Sequence, residues 1–330
     1  MQRPAHDGEL ASIVRDLGKA RVAVLGDLVV DEYVYGQTER ISREAPVLIV
    51  RQEYTERKPG GAANAAANLA DLGARTIALG AIGDDEAGRG LHALLEAARI
   101  EPRLAVAPGP TETKTRILAG GINTTRQQML RVDRCREGAL PERSQDEIIE
   151  KLREAAREVD VLVVSDYGGG VLAPRVIAEV KRLGAEGLRV LVDSRYDLGA
   201  YAGLYLVKPN EPELGQATGL PVGTEESTLR AALALRERLR CHAVLVTRGR
   251  SGMILVREGE EPLPIPVHGQ EEAVDVTGAG DTVIATLAAA LGAGAELADA
   301  ARLANVAGGI VVRKPGTATV RAAELLEELA

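Results

Sequence analysis

The chain has 330 residues, 45% of them hydrophobic, enough to fill a substantial core. It carries 40 Lys and Arg against 48 Asp and Glu, a formal charge of −8 with the acids spread along the chain, so no electrostatic case exists for binding nucleic acid. Cys135 and Cys241 lack ligand spacing, and Phe and Trp are absent, which excludes a disulfide scaffold, a structural zinc site and an aromatic platform for bases.

Residues 1–10 are polar and lack the apolar centre of a signal peptide. Nowhere do roughly 18 uncharged apolar residues run together, so no ordinary spanning helix is read and a cytoplasmic protein is expected. Short apolar runs at 22–25, 76–82, 161–164, 190–192, 205–207 and 244–246 predict buried parallel strands. Amphipathic stretches at 86–98, 144–158, 174–183 and 225–239 predict helices between them. That alternation predicts an α/β sheet covered by helices on both faces, with no linker dividing 1–330. Segments 29–58 and 113–133 break the pattern: they are charged and alternating, as half-exposed antiparallel strands are. They read either as one small sheet forming a lid or as two plain surface hairpins.

Gly60 and Gly61 open an Ala-rich helix that places Asn64 and Asn68 on one face. Its small residues admit close approach, and Asn64 offers a donor and an acceptor to sugar hydroxyls. Further on, Lys208-Pro209-Asn210-Glu211-Pro212-Glu213 follows a predicted strand end. Asn210 and Glu213 suit hydrated magnesium, and equally a turn with a helix cap. Thr247 to Gly252 suits nucleotide phosphate or ribose, or a hairpin turn.

The most informative run is Val274-Asp275-Val276-Thr277-Gly278-Ala279-Gly280-Asp281, ahead of a small-residue helix at 282–291. Free amides at a helix start point at an anion, and Asp281 beside them could take a proton from an attacking hydroxyl. A first-turn acid favoured by the helix dipole accounts for the same aspartate. No G-x-x-x-x-G-K-[ST] loop, G-x-G-x-x-G fingerprint or HExxH motif is present, and the four histidines are scattered.

Taken in order, Gly26-Asp27, Gly61 with Asn64, Asn210-x-x-Glu213, Thr247-x-Gly249 with Gly252, and the 275–281 run resemble the PfkB/ribokinase family of sugar kinases over nearly the whole chain. The resemblance implies a ribokinase-like three-layer α/β/α domain with a mainly parallel sheet and a small β lid. It implies ATP as donor and magnesium as cofactor. Asp281 is then the base, with the amides of Gly278, Ala279 and Gly280 as anion hole. Asp27, Asp31, Gly60, Gly61, Asn64, Arg116 and Asp166 are the substrate set. Lys208, Asn210, Glu213, Thr247, Gly249, Gly252 and Asn305 are the nucleotide set. Asn210 and Glu213 organise magnesium through water, and Asp275 and Thr277, with the backbone near Gly316, hold a monovalent cation, potassium in several relatives.

Within the family, the stretches at 26–36, 40–47, 114–116, 127–133 and 316–320 resemble the D-glycero-β-D-manno-heptose-7-phosphate kinase branch. That branch phosphorylates O1 to give the 1,7-bisphosphate, on the way to ADP-heptose for lipopolysaccharide core. A distal phosphate needs cations, and Arg43, Lys114, Arg116, Arg131 and Arg195 are the candidates. The chain departs from the branch at Gly169, where relatives commonly carry Lys, and at Ser194-Arg195, where Pro-Lys is common. The segment 119–125 reads as a longer lid turn. No HxGH signature follows, so adenylylation is expected from another protein. A kinase for another sugar and a non-catalytic sensor are the competing readings. A homodimer through unpaired lid edges is expected.

Overall fold

Alternation along β1 (Arg21–Gly26) shows how the sheet is buried: Val22 and Val24 enter one hydrophobic core, Ala23 and Leu25 the other. The computed structural model describes residues 7–121, 126–269 and 273–330. The same two-sided burial holds for β4 (Arg75–Ile82), β8 (Val161–Asp166) and β9 (Arg189–Ser194), which explains their continuous apolar runs.

Two excursions leave this body, β2 (Leu28–Ile41) with β3 (Leu48–Gly61), and β6 (Thr113–Gly120) with β7 (Gln127–Arg134). They form one sheet in the order β3-β2-β6-β7. Each hairpin is antiparallel, while β2 and β6 join them in parallel, Val30 beside Thr113 through Gln37 beside Gly120. The single-sheet reading of these segments therefore holds, with a parallel seam. The expected longer turn at 119–125 falls partly outside the described residues, as does most of the N-terminal 1–10 segment.

The large sheet also takes β5 (Glu101–Val106), β10 (Leu206–Val207), β11 (Ala243–Thr247), β12 (Met253–Arg257) and β13 (Leu263–Ile265). Its order is β13-β12-β11-β10-β9-β8-β1-β4-β5, parallel except for the antiparallel β11-β12-β13 edge. From β1 the chain winds outward through β4 and β5, then returns to β8 on its other side. That reversal makes the carboxyl ends of β1 and β8 a switch point, where open α/β sheets leave a crevice.

Helices α1 (Asp7–Asp16), α2 (Ala62–Asp71) and α3 (Glu86–Ala97) pack into the first core. Helices α4 (Glu142–Ala156), α5 (Pro174–Ala185), α6 (Glu211–Thr218) and α7 (Glu225–Leu239) pack into the second. Then α8 (Ala279–Gly292), α9 (Leu297–Val311) and α10 (Ala322–Glu328) return to the first. Because α8 is Ala-rich and buried along most of its length, α2 and the strands can approach it closely. Edge strands β5 and β13 lack a clean apolar run and carry Pro102 and Pro264, tolerated at an edge. No helix among the described residues is long and apolar enough to cross a membrane.

Candidate active site

At the switch point lies a cleft of about 550 Å³, walled on one side by the strand ends and on the other by Lys114, Arg116, Gln128 and Arg131 of the smaller sheet. Its floor is the start of α8. Gly278 is the N-cap residue at φ 78°, a left-handed conformation, and a Cβ there would stand 2.7 Å from Asn64 Nδ2. Ala279 N–H donates to Val276 O at 3.2 Å, so that amide closes a turn rather than facing the cleft. The amides of Gly278 and Gly280 have no acceptor among the described residues, and both glycines line the cleft. Of the three amides expected to face an anion, only these two are left without an acceptor beside the cleft. Gly278→Ala is expected to lower kcat at least about tenfold by displacing Asn64, and to cost about 1–2 kcal/mol of stability. Steady-state kinetics and a thermal melt check both.

Asp281 sits in the first turn of α8 and is 4% exposed. Asn64 Nδ2 donates to its Oδ2 at 2.9 Å and the Tyr167 hydroxyl to its Oδ1 at 2.8 Å. Asn64 is held in turn by Asn68, whose Nδ2 donates to the Asn64 carbonyl at 2.9 Å, while Thr282 Oγ1 donates to Asn68 Oδ1 at 2.9 Å. The paired asparagines therefore orient a carboxylate, a use that helical spacing could not reveal. Burial pushes Asp281 up to about 6; the Asn64 and Tyr167 donations and Lys208 oppose this, and the Asp193 charge adds to it. A carboxylate so poised is suited to take a proton near neutral pH.

Three other acids of the substrate set are engaged internally. Asp27, 2% exposed, accepts the amides of Tyr167 (2.8 Å), Gly169 (3.0 Å) and Val171 (3.1 Å), so it shapes the loop after β8. Burial still leaves its carboxyl above the usual range despite these donors. Asp166 accepts Ser194 Oγ at 2.8 Å, the Tyr201 hydroxyl at 2.7 Å and the Gly168 amide at 3.0 Å, and borders the cleft. Asp31 pairs with Arg116 at 2.5 Å, and a Cβ on Gly60 would fall 2.5 Å from Asp31 Oδ2, so Gly60 lets the β2–β3 seam close over that pair. Gly61 is the N-cap residue of α2.

The nucleotide set divides. Lys208, 3% exposed, pairs with Asp193 at 3.0 Å, and both reach the cleft next to Gly280. Asn210 and Glu213 form a capping box on α6: Glu213 N–H donates to Asn210 Oδ1 and Asn210 N–H to Glu213 Oε2, each at 2.8 Å. Both residues still border the cleft, as does Thr247 at the end of β11. Gly249 and Gly252 make the turn into β12, and Asn305 Nδ2 donates to Pro266 O at 2.8 Å, all three away from the cleft lining. Thr277 lines it. Asp275 accepts the amides of Thr277 and Gly316, each at 2.9 Å. Burial pushes the Asp275 carboxyl up, but those amides and the Thr277 hydroxyl outweigh it and hold it below the usual range.

Four of the five candidate cations, Lys114, Arg116, Arg131 and Arg195, line the cleft; Arg43 lies outside it. Arg116 is paired with Asp31, and Arg131 with Asp133 at 2.7 Å. Among the described residues neither Lys114 nor Arg195 has a carboxylate within 4.0 Å; both lie against the Tyr167 ring, at 5.3 and 4.5 Å from its centroid. Tyr167 and Asp193 are the site residues that sequence reasoning missed. Their one signal was position, each at or just past the carboxyl end of a predicted strand.

A family model described as pfkB family carbohydrate kinase matches residues 19–323. Among curated relatives, the bifunctional protein HldE of Caulobacter sp. (strain K31) is 43% identical over 325 residues, covering 97% of this chain and 65% of that protein. The same-named protein of Aeromonas salmonicida (strain A449) is 43% identical over 316 residues, covering 95% and 64%. The chain thus spans just under two thirds of the length of these relatives. Among solved structures, Arabidopsis thaliana ribokinase complexed with ribose and ATP matches with TM-score 0.70 at 22% identity, covering 94% of this chain and 98% of that one. Phosphofructokinase-2 from Escherichia coli in complex with substrates and products matches with TM-score 0.77 at 19% identity and the same coverage. These likenesses show a ribokinase-like fold.

Proposed function

The chain belongs to the PfkB family of carbohydrate kinases, and within that family we propose that it phosphorylates O1 of D-glycero-β-D-manno-heptose 7-phosphate from ATP. The product would be the 1,7-bisphosphate, on the cytoplasmic route to ADP-heptose for lipopolysaccharide core. The observation that carries the substrate reading is the pair Lys114 and Arg195, cations that line the cleft against the Tyr167 ring with no carboxylate within 4.0 Å among the described residues. A sugar bearing a distal phosphate satisfies them; a neutral sugar leaves them unpaired.

Asp281 accepts the proton of the attacking hydroxyl, held in place by Asn64 and Tyr167. The Gly278 and Gly280 amides stabilise charge developing on the transferred group. Asp27 acts one step back, fixing the loop that carries Tyr167. ATP supplies the phosphoryl group, and magnesium neutralises its phosphates when bound. Among the described residues no three His, Cys, Asp or Glu side chains gather into a metal cage. The donor set fits a largely hydrated ion, with Glu213 and Asn210 holding its waters while they cap α6. Asp275, kept ionised by its amide donors, and Thr277 fit a monovalent cation such as potassium. A second copy of the chain is the proposed partner, seated on the smaller sheet, where Leu48, Tyr54, Leu130 and Val132 are exposed.

Coupled ATP turnover on a panel of β- and α-heptose 7-phosphate, sedoheptulose 7-phosphate, fructose 6-phosphate, ribose and fructose tests the reading, with product position read by phosphorus NMR. The expected result is strong preference for the β-heptose 7-phosphate and a new O1 phosphate. Preference for another sugar would overturn the substrate. No sugar-dependent turnover would favour a sensor.

A further inference from the structure

Tyr167 touches four parts of the site at once. Its amide is pinned by Asp27 at the end of β1, and its hydroxyl reaches Asp281 on α8. Its ring lies under Arg195, just past β9, and Lys114 on β6 of the smaller sheet. We propose that Tyr167 is a positioning residue with two separable roles, its hydroxyl aligning the base and its ring holding the two cations of the anion subsite. This rests on the kinase reading above and deepens it.

The hydroxyl role follows from the chemistry of the pair. A phenol can donate to an ionised carboxylate, and such a bond favours the charged form in a buried site. Burial and the neighbouring Asp281 charge raise Tyr167 well above its usual range, so it remains a donor wherever the base is ionised. The groups facing Asp281 are Asn64 from α2, Tyr167 from the loop after β8, Asp193 from β9 and Lys208 ahead of α6. Asn64, Tyr167 and Lys208 favour ionisation, and Asp193 opposes it, so removing the phenol hydroxyl leaves a weaker set. The ring role follows from geometry: centroid distances of 4.5 and 5.3 Å place both cations within cation–π range. Among the described residues no carboxylate lies within 4.0 Å of either cation, and Glu213 reaches Arg195 only through its charge, so the ring is the close contact that holds them in the cleft until an anion arrives.

Tyr167→Phe removes the hydroxyl and keeps the ring; Tyr167→Leu removes both. Infrared titration of the unliganded protein, as a difference against Asp281→Asn, reads the carboxyl directly. In Tyr167→Phe the midpoint is expected to move up by about 1 pH unit, with the acid limb of kcat/KM following it. The KM for the sugar phosphate should stay within about twofold. Tyr167→Leu should show the same midpoint shift and an additional rise of about tenfold in that KM. An unchanged midpoint in Tyr167→Phe overturns the hydroxyl role. A KM rise as large in Tyr167→Phe as in Tyr167→Leu overturns the ring role. The infrared titration needs no acceptor, so an inactive sugar panel would count against the kinase assignment and leave the Tyr167 titration standing.

Discussion

Asp281→Asn is expected to lower kcat by about 10²–10⁴-fold while ATP binding and the fold survive. The amide can accept from Asn64 Nδ2 with its oxygen and donate to the Tyr167 hydroxyl with its nitrogen, so neither partner is orphaned. What disappears is the group that takes the proton. The substitution also has a signature in stability. The wild-type carboxyl is raised by burial from 3.8 to about 6, so the folded state binds that proton more tightly than the unfolded chain does. Its favourable contribution is complete below the unfolded value and is lost as pH rises through about 6. At pH 7 the buried charge costs on the order of 3 kcal/mol relative to the protonated form. Asparagine does not titrate, so the variant should gain stability relative to wild type between pH 4 and 7. Denaturant melts across that range, with kcat measured on the same samples, check both halves. Near-normal turnover would remove Asp281 as the base, and a pH-independent stability difference would remove the buried charge.

Lys114→Ala combined with Arg195→Ala is expected to raise the KM for the phosphorylated sugar by about 10²–10⁴-fold. Each cation stands to lose charge-assisted hydrogen bonds of about 1.5–3 kcal/mol to the phosphate, roughly 10–100-fold apiece. The KM for ATP should change by less than about threefold, and kcat at saturating sugar should remain within about tenfold, because neither residue touches Asp281. Stability should hold or rise slightly, since two unpaired like charges leave the cleft. A single KM series against both substrates decides the matter. If the ATP term rises instead, the two cations belong to the nucleotide phosphates and the distal-phosphate reading falls.

Much of the fold was legible because the signals are local. The apolar runs at 22–25, 161–164, 190–192 and 244–246 lie within β1, β8, β9 and β11, and the stretch at 225–239 matches α7 from end to end. Strands β5 and β13 escaped because an edge is only partly buried, so nothing forces a continuous apolar run there, whereas β12 was passed over although Met253 to Val256 is an apolar run buried between β11 and β13. The site was legible in a different measure. The 275–281 run pointed to Asp281 and the glycines, the segments at 60–68, 208–213 and 247–252 pointed to Asn64, Asn210, Glu213 and Thr247, family resemblance added Asp27 and Asp166, and Tyr167 and Asp193 were missed. Side-chain roles then shifted: Asn64 holds the base, Asp27 clamps the loop after β8, and Asn210 with Glu213 caps a helix while bordering the cleft.

The sequence by itself determined the period of the central strands and of the main amphipathic helices, the two-sided burial of the sheet and the presence of an acid after glycines at a helix start. These follow from alternation and turn chemistry spanning at most some fifteen residues, where neighbours along the chain are neighbours in space. Only the tertiary structure decided which groups face that acid. Asn64 and Asp281 are 217 positions apart, and Tyr167 and Asp281 are 114 apart. Their meeting depends on strand order and on Ala-rich helices packing closely enough to converge at the switch point. A hydrogen bond of 2.8 Å has no periodicity to announce it, because it is set by the packing of whole elements and not by the residues on either side of it.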